Sequence, residues 1–134
     1  VIDQIKILNA KGNVHWLNYI STPELRCLYQ SASIFLLPSL HEGFGLPILE
    51  AFASSTPVIT SNIFAMPEVA GDAAWLVDPY DIESIREGML SLLSDSTKRD
   101  RFIALGSERV KQFTWDNCRK NTLAVYKKVL GVKC

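Results

Sequence analysis

The chemistry of this chain is concentrated in one stretch, His41-Glu42-Gly43-Phe44-Gly45-Leu46-Pro47-Ile48-Leu49-Glu50. Gly43 and Gly45 can take backbone angles barred to other residues, and they let a ligand approach the main chain closely. Pro47 suits the first turn of a helix, where its missing N–H is not needed. Free N–H groups and the helix dipole at such a start favour an anion. Two carboxylates flank this cradle, Glu42 before the turn and Glu50 one turn into the helix. Neither helps to hold a phosphate, so each wants hydroxyl or amine donors. An anion cradle between carboxylates reads as a site for a phosphorylated polyol, and a nucleotide-sugar fits.

The elements on either side must position these residues. Ile34 to Leu37 is a continuous apolar run, consistent with a strand buried on both faces. It delivers Ser39 at its carboxyl end, where open α/β sheets bind ligands. Ser61 and Asn62 hold the corresponding place after Val58-Ile59-Thr60, a second short buried strand. Ala74-Trp75-Leu76-Val77 is a third, closed by Asp78-Pro79. Val14-His15-Trp16-Leu17 is a further strand candidate, with Asn18-Tyr19-Ile20 turning after it and His15 structural within it. Between the strands lie helices. Ile2, Ile5 and Leu8 fit one helical face that Lys11-Gly12-Asn13 can end. Ser21-Thr22-Pro23-Glu24 opens the next, with Ser21 and Glu24 as a capping box or Thr22 as the cap. Leu25, Leu28, Tyr29 and Ala32 make its apolar face. Ser61 to Ala65 is a turn, and Pro67 to Ala70 a short helix ending at Gly71. Asp81 caps a helix with Ile82, Ile85, Met89, Leu92 and Leu93 inward. A charged helix runs from about Thr97 to Gln112, and Thr114 caps a last one reaching about Leu130. The fold class is therefore α/β, a Rossmann-like parallel sheet flanked by helices.

At 134 residues the chain is one domain at most. Its 14 basic and 14 acidic residues balance, which gives no electrostatic case for nucleic acid or an acidic membrane. Cys27, Cys118 and Cys134 are widely spaced and form no metal-ligand or disulfide pattern. No apolar run approaches the roughly 20 residues that span a bilayer, and no signal peptide is visible. The chain opens Val1-Ile2-Asp3 without an initiator Met, which reads as a fragment or a processed product.

The ordered set of motifs resembles the donor-binding domain of retaining GT-B glycosyltransferases of the family-four type (glycosyl transferases group 1). Glu42, seven residues and Glu50, enclosing Gly-Phe-Gly-Leu-Pro, carry the resemblance. So do Pro57-Val58-Ile59-Thr60-Ser61-Asn62, Met66-Pro67-Glu68-Val69-Ala70-Gly71-Asp72-Ala73-Ala74, Leu76-Val77-Asp78-Pro79 and Phe113-Thr114-Trp115. It covers about Asn13 to Leu130 and makes residues 1–134 a partial nucleotide-sugar-binding domain. It implies that Glu50 accepts hydrogen bonds from the ribose and that Glu42, the catalytic candidate, faces the transferred sugar. Main-chain groups of Gly43, Phe44, Gly45 and Leu46 would meet sugar and phosphates, Ser39 would lie beside the donor, and the Tyr19-Ile20 main chain would meet the base. With Glu50 so assigned, no second carboxyl is left to pair with Glu42 as in retaining glycosidases, and the mechanism that the resemblance implies is front-face, with the donor phosphate assisting the acceptor hydroxyl.

Each residue also has a plainer reading. Glu50 can be a helix-edge acid satisfied by water or a cap, Glu42 a solvated loop acid, and the glycines a tight turn. The Phe44 side chain reads as core, and His41 and Glu68 as structural as readily as functional.

The resemblance further implies a sugar transferase of the hexosyl class that uses a nucleoside diphosphate sugar as substrate and needs no cofactor or metal. The acceptor, a sugar, lipid or polysaccharide, would be held by an amino-terminal domain absent here. The isolated chain is then expected to be inactive. Two strands central to the family's sheet, and the Arg and Lys that face the diphosphate, are also absent. Exposed sheet edges would favour self-association. The location implied is cytoplasmic, with a peripheral position at the inner membrane face open to the whole protein. One departure stands out: Ser55 occupies a position usually held by Gly, at a cost of about 1 kcal/mol or more if its φ is positive. A non-catalytic Rossmann-like interaction module, a decayed gene product, and a GT-B epimerase or phosphorylase are the alternatives.

Overall fold

Three short apolar runs pair in parallel. In the computed structural model, which describes residues 2–10, 12 and 14–131, β1 (Phe35–Leu37), β2 (Val58–Ser61) and β3 (Ala74–Val77) form one sheet in the order β1-β2-β3. Phe35 lies opposite Val58, and Val58 opposite Ala74. Parallel neighbours need a crossover. These are supplied by α3 (Leu46–Ala53) between β1 and β2, and by α4 (Ala65–Ala70) with a 3₁₀ turn (Gly71–Ala73) between β2 and β3. The other helices are α1 (Ile2–Ala10), α2 (Thr22–Ser31), α5 (Ile82–Ser94), α6 (Ser96–Val110) and α7 (Trp115–Val129).

Side chains alternate across a strand, and the core divides accordingly. One face of the sheet presents Phe35, Leu37, Val58 and Ala74 to Tyr29 of α2, Ile48, Leu49 and Phe52 of α3, and Met66 and Val69 of α4. The other presents Leu36, Ile59, Trp75 and Val77 to Ile85 and Leu92 of α5. Helix α6 contributes to both, with Leu105 on the first face and Phe102 on the second. Strand β2 is buried throughout, hydroxyls included. Burial of those hydroxyls is tolerated because each is hydrogen-bonded: Thr60 Oγ1 donates to Leu37 O at 3.0 Å and Ser61 Oγ to Ser39 O at 2.6 Å. Both bonds lock β2 to β1 and its exit.

The helix starts follow the sequence. Ser21 rather than Thr22 caps α2, with its N–H and Oγ both donating to the Glu24 carboxylate at 2.9 and 2.6 Å. Those bonds hold the Glu24 carboxyl below its ordinary range, the side-chain bond contributing most. Asp81 accepts from Glu83 N, and Thr114 from Asn117 N. The carboxyl end of α3 is a Schellman motif, with Thr56 N donating to Ala51 O at 3.0 Å and Ser55 N to Phe52 O at 3.1 Å. Its left-handed residue is Ser55, at φ 59°. The expected departure from glycine therefore falls on a position that wants glycine. Ser55→Gly should raise stability by about 0.5–1 kcal/mol, relief of the left-handed strain being partly offset by a more flexible unfolded chain. Urea unfolding of the two proteins checks this, and an unchanged or lower midpoint would contradict it.

Several expectations need correction. Val14 to Leu17 forms no strand, and His15, Trp16 and Leu17 are exposed. A strand exists by pairing, and none of the three strands offers that segment a partner. Ile34 precedes β1, which packs against the core on both faces but is only half-buried, because it lies at the sheet edge. On α2 only Leu25 and Tyr29 turn inward, and Leu28 and Ala32 are exposed. On α5 the inward stripe is Ile85, Gly88 and Leu92, while Ile82 is 78% exposed and Met89 and Leu93 also face out. A Cβ on Gly88 would lie 3.0 Å from the Trp75 ring and 3.2 Å from Val77, so α5 seats on β3 through this glycine and its larger neighbours rotate away. On α1 Leu8 is exposed. Lys11 and Asn13, expected to help end α1, lie outside the described residues, as does Cys134. The last helix forms as expected but is largely solvated, with Trp115 89% exposed.

Candidate functional site

The turn between β1 and α3 lies at the carboxyl end of the parallel strands. Gly45 is the N-cap of α3 at φ 96°, a left-handed angle that glycine takes freely. A Cβ there would also approach Ile48 Cδ1 to 3.2 Å. Gly43 differs from expectation: its φ is not left-handed and space around it is open, so that turn tolerates a side chain at 43. Pro47 sits in the first turn and offers no donor, and Ile48 N–H is given to Gly45 O at 3.0 Å. Among the described residues, the main-chain N–H groups of Gly43, Phe44, Gly45 and Leu46 donate to no backbone acceptor. Anion-binding capacity at this helix start therefore resides in the turn itself.

Glu42 is tied to the strand ends. Ser39 Oγ donates to Glu42 Oε1 at 2.9 Å, and Ser39 O in turn accepts from buried Ser61. Ser61, Ser39 and Glu42 thus form one hydrogen-bonded chain from the centre of the sheet to the turn. Among the described residues Glu42 Oε2 takes no intramolecular hydrogen bond. His41 packs edge-on to Phe64, centroids 4.8 Å apart. Phe64 is exposed, and its φ of 55° is strained for a residue with a side chain. Phe44, expected in the core, is half exposed and leans edge-on against Phe113 at 5.9 Å.

Glu50 is exposed despite its apolar neighbours. It looks into a cleft of about 250 Å³ lined by Thr22, Leu25, Arg26, Tyr29, Ala53 and Ser54. The partner of its charge is Tyr29, whose OH donates to Glu50 Oε2 at 3.1 Å. Burial, then the Glu50 charge, pushes the Tyr29 phenol up to about 12. The cleft is smaller than the roughly 300–1,000 Å³ of a complete small-molecule site.

Ile20 lies elsewhere. It lines a shallow groove with Leu17, Pro23, Glu24, Cys27, Leu28 and Ser31, on the face of α2 opposite the Glu50 cleft. Tyr19 is 94% exposed. The structure therefore gathers Ser39, Glu42 and the turn, and places Glu50 on the helix leaving that turn. It does not bring Tyr19 and Ile20 to them. Tyr29 and Phe64 were not singled out from sequence. A tyrosine on an otherwise apolar helix face was the available signal for the first, since a buried phenol needs a partner. Among the described residues no group of three His, Cys, Asp or Glu side chains is placed to hold a metal, and Cys27 and Cys118 are free and exposed.

Residues 1–109 match the family model for glycosyl transferases group 1. The chain belongs to that family. Among its relatives, the O-antigen chain mannosyltransferase B of Escherichia coli is 42% identical over 117 residues, covering 87% of this chain and 31% of that protein. The MMP alpha-(1->4)-mannosyltransferase of Mycolicibacterium hassiacum is 38% identical over 129 residues, covering 92% and 31%. The chain thus spans about a third of the length of these relatives. Among solved structures, sucrose-phosphate synthase from Thermosynechococcus elongatus superposes with a TM-score of 0.81 at 24% identity, covering 98% of this chain and 34% of that one. The C-terminal domain of a glycosyl transferase group 1 family protein from Francisella tularensis gives 0.71 at 30% identity, covering 83% and 58%. The architecture of this group 1 family chain is accordingly the α/β, parallel-sheet arrangement of GT-B glycosyltransferases. No helix among its described residues is long and apolar enough to cross a membrane.

Proposed function

We propose that this chain is a donor-binding domain that takes a nucleoside diphosphate sugar, in a longer protein that transfers the sugar to an acceptor hydroxyl with retention. The observation that carries the reading is the turn at Gly45: unengaged main-chain N–H groups at the start of α3, with Glu42 before them and Glu50 after. N–H groups there suit the diphosphate, and their attraction for the charge developing on the leaving group would assist its departure. Glu42, held through Ser39, accepts from the transferred sugar, and Glu50 from the ribose. Tyr19 and Ile20 would meet the base only in the longer protein, given their place across α2. The names of two relatives, both mannosyltransferases, support mannose as the sugar. The acceptor would be bound by the part of those relatives beyond the matched third. The chain by itself would then bind donor without transferring sugar, and no metal takes part.

Thermal unfolding of the chain with UDP, GDP and ADP, against an inorganic phosphate control, tests this. One nucleotide at 100 times its dissociation constant should add about 2.7 kcal/mol, with little change from phosphate. No shift with any nucleotide would count against a donor site in this chain.

A further inference from the structure

Glu50 ends a flexible side chain on an exposed part of α3. Fixing such a side chain on a ligand costs rotamer freedom. Tyr29 removes part of that freedom beforehand. Its phenol OH holds Glu50 Oε2 at 3.1 Å. Tyr29 is itself held from three directions. The residue is 8% exposed, its ring packs edge-on against Phe35 of β1 at 5.1 Å, and its carbonyl accepts from Thr56 Oγ1 at 2.6 Å. Thr56 is buried at the end of the α3 cap. The helix that carries Glu50 and the helix that carries Tyr29 are therefore tied together at the residue whose OH meets the carboxylate. A phenylalanine would pack the same ring. The hydroxyl adds only the contact to Glu50.

We infer that Tyr29 is a positioning residue for the donor, holding one carboxylate oxygen of Glu50 so that the other, Oε1, is presented to the vicinal hydroxyls of a ribose. The inference rests on the donor-site reading above and adds to it the residue that orients Glu50. Among the described residues Glu50 Oε1 takes no intramolecular hydrogen bond, and no ion pair joins Glu50 to Arg26, the cation lining the same cleft. The carboxylate is thus oriented by a neutral donor, which leaves its charge available to a ligand. Fixing a group in its bound geometry raises affinity by removing ordering cost, not by adding a contact. A merely structural Tyr29 would affect stability and leave ligand discrimination alone.

The test compares calorimetric binding of a nucleoside diphosphate, the one selected by the thermal scan, with its 2′,3′-dideoxy analogue. The wild-type chain should prefer the ribonucleotide by about tenfold or more, the worth of a hydrogen bond to a charged group. In Tyr29→Phe that ratio should fall to about two- or threefold, with binding of the dideoxy analogue little changed. A Tyr29→Phe chain that keeps the full wild-type ratio overturns the positioning role and leaves the donor site standing. A wild-type chain that binds but does not discriminate overturns the ribose role of Glu50 and the positioning role with it. A wild-type chain that binds no nucleotide overturns the donor site as well. The contact is also readable without ligand or folding of the variant. In the wild-type chain the Tyr29 phenol should ionise near pH 12, because burial and the Glu50 charge both favour its neutral form. The neutral OH, and any stability it contributes, persists below the ordinary tyrosine pKa of about 10 and is lost as pH rises through about 12. Glu50→Gln should move that ionisation downward. A wild-type chain in which no phenol ionises above the ordinary tyrosine range of about 10 lacks the contact and overturns the proposal.

Discussion

Replacing Phe52 with alanine is expected to cost about 3–5 kcal/mol, the range for emptying a buried aromatic site. Phe52 is among the largest fully enclosed side chains of the molecule, at 2% exposure, and lies where α3 packs on α6. The facing residue on α6 is Gly106. A Cβ built there would sit 2.6 Å from Phe52 Cδ1 and 3.1 Å from Cγ, closer than side chains approach without movement. Alanine is favoured over glycine inside a helix by about 1 kcal/mol. Gly106→Ala should nevertheless destabilise by about 1–2 kcal/mol, because an approach this close puts the cost of forcing a methyl into a filled core in the upper half of its range of about 1–3 kcal/mol, before that gain.

The two changes should not add. With the ring gone, the methyl at 106 enters the space Phe52 occupied and the helix preference is recovered. The double variant should therefore be more stable than Phe52→Ala alone, with a coupling of about 2 kcal/mol. Urea unfolding of the parent, the two single variants and the double measures it. Additivity within about 0.5 kcal/mol would mean that the two helices already separate enough to admit the methyl. For a domain whose total stability is typically about 5–15 kcal/mol, this contact is a large share. It also bears on the site, because Phe52 lies two residues beyond Glu50 on the same helix.

The parts of the fold that are legible in the sequence are those set by local chemistry. Val58 to Thr60 and Ala74 to Val77 read as strands because continuous apolar runs ended at turn signals, and they are strands. Ser21, Asp81 and Thr114 read as caps because their side chains compete for helix-start donors, and they cap. Ser55 stands out as a glycine position through the family resemblance alone, and its backbone is left-handed. What was not legible depends on partners distant in the chain. Val14 to Leu17 has strand composition but no strand to pair with. The rotation of α5 is decided by how closely Gly88 approaches Trp75, which the apolar stripe of α5 does not encode. Tyr29 meets Glu50 across 21 residues, so periodicity could only mark it as apolar face. The site divides the same way. The turn and its two carboxylates are local and readable, whereas the hydrogen bonds that hold those carboxylates, from Ser39 and Tyr29, become visible only in the fold.

Arg109→Ala should cost about 3 kcal/mol, although most surface arginines contribute little. Helix α4 has six residues, so its last carbonyls find few N–H donors within it. Arg109, the penultimate residue of α6, supplies donors to two of them. Nε donates to Val69 O at 3.1 Å and Nη2 to Glu68 O. The guanidinium is held in place by Gln112 Oε1 at 2.7 Å and by the Phe113 ring at 5.1 Å. Gly71 makes room for it, since a Cβ there would lie 3.2 Å from Nε. A cation at a helix carboxyl end is also favoured by the dipole. Hydrogen bonds from charged donors are worth about 1.5–3 kcal/mol each. The Val69 contact is part-buried and the Glu68 contact exposed, which places the sum near the lower end. Arg109→Lys should recover less than half, because an ammonium cannot match the planar fork that reaches two carbonyls while stacking on a ring. Denaturant unfolding gives the totals, and hydrogen exchange at Val69 to Asp72 should rise more than elsewhere in Arg109→Ala. An alanine variant within about 1 kcal/mol of the parent, or full recovery by lysine, would mean that solvent already satisfies those carbonyls. The consequence reaches the site, because α4 follows the loop that carries Phe64 to His41 at the strand ends. Loosening the clasp at one end of α4 should loosen that aromatic contact at the other.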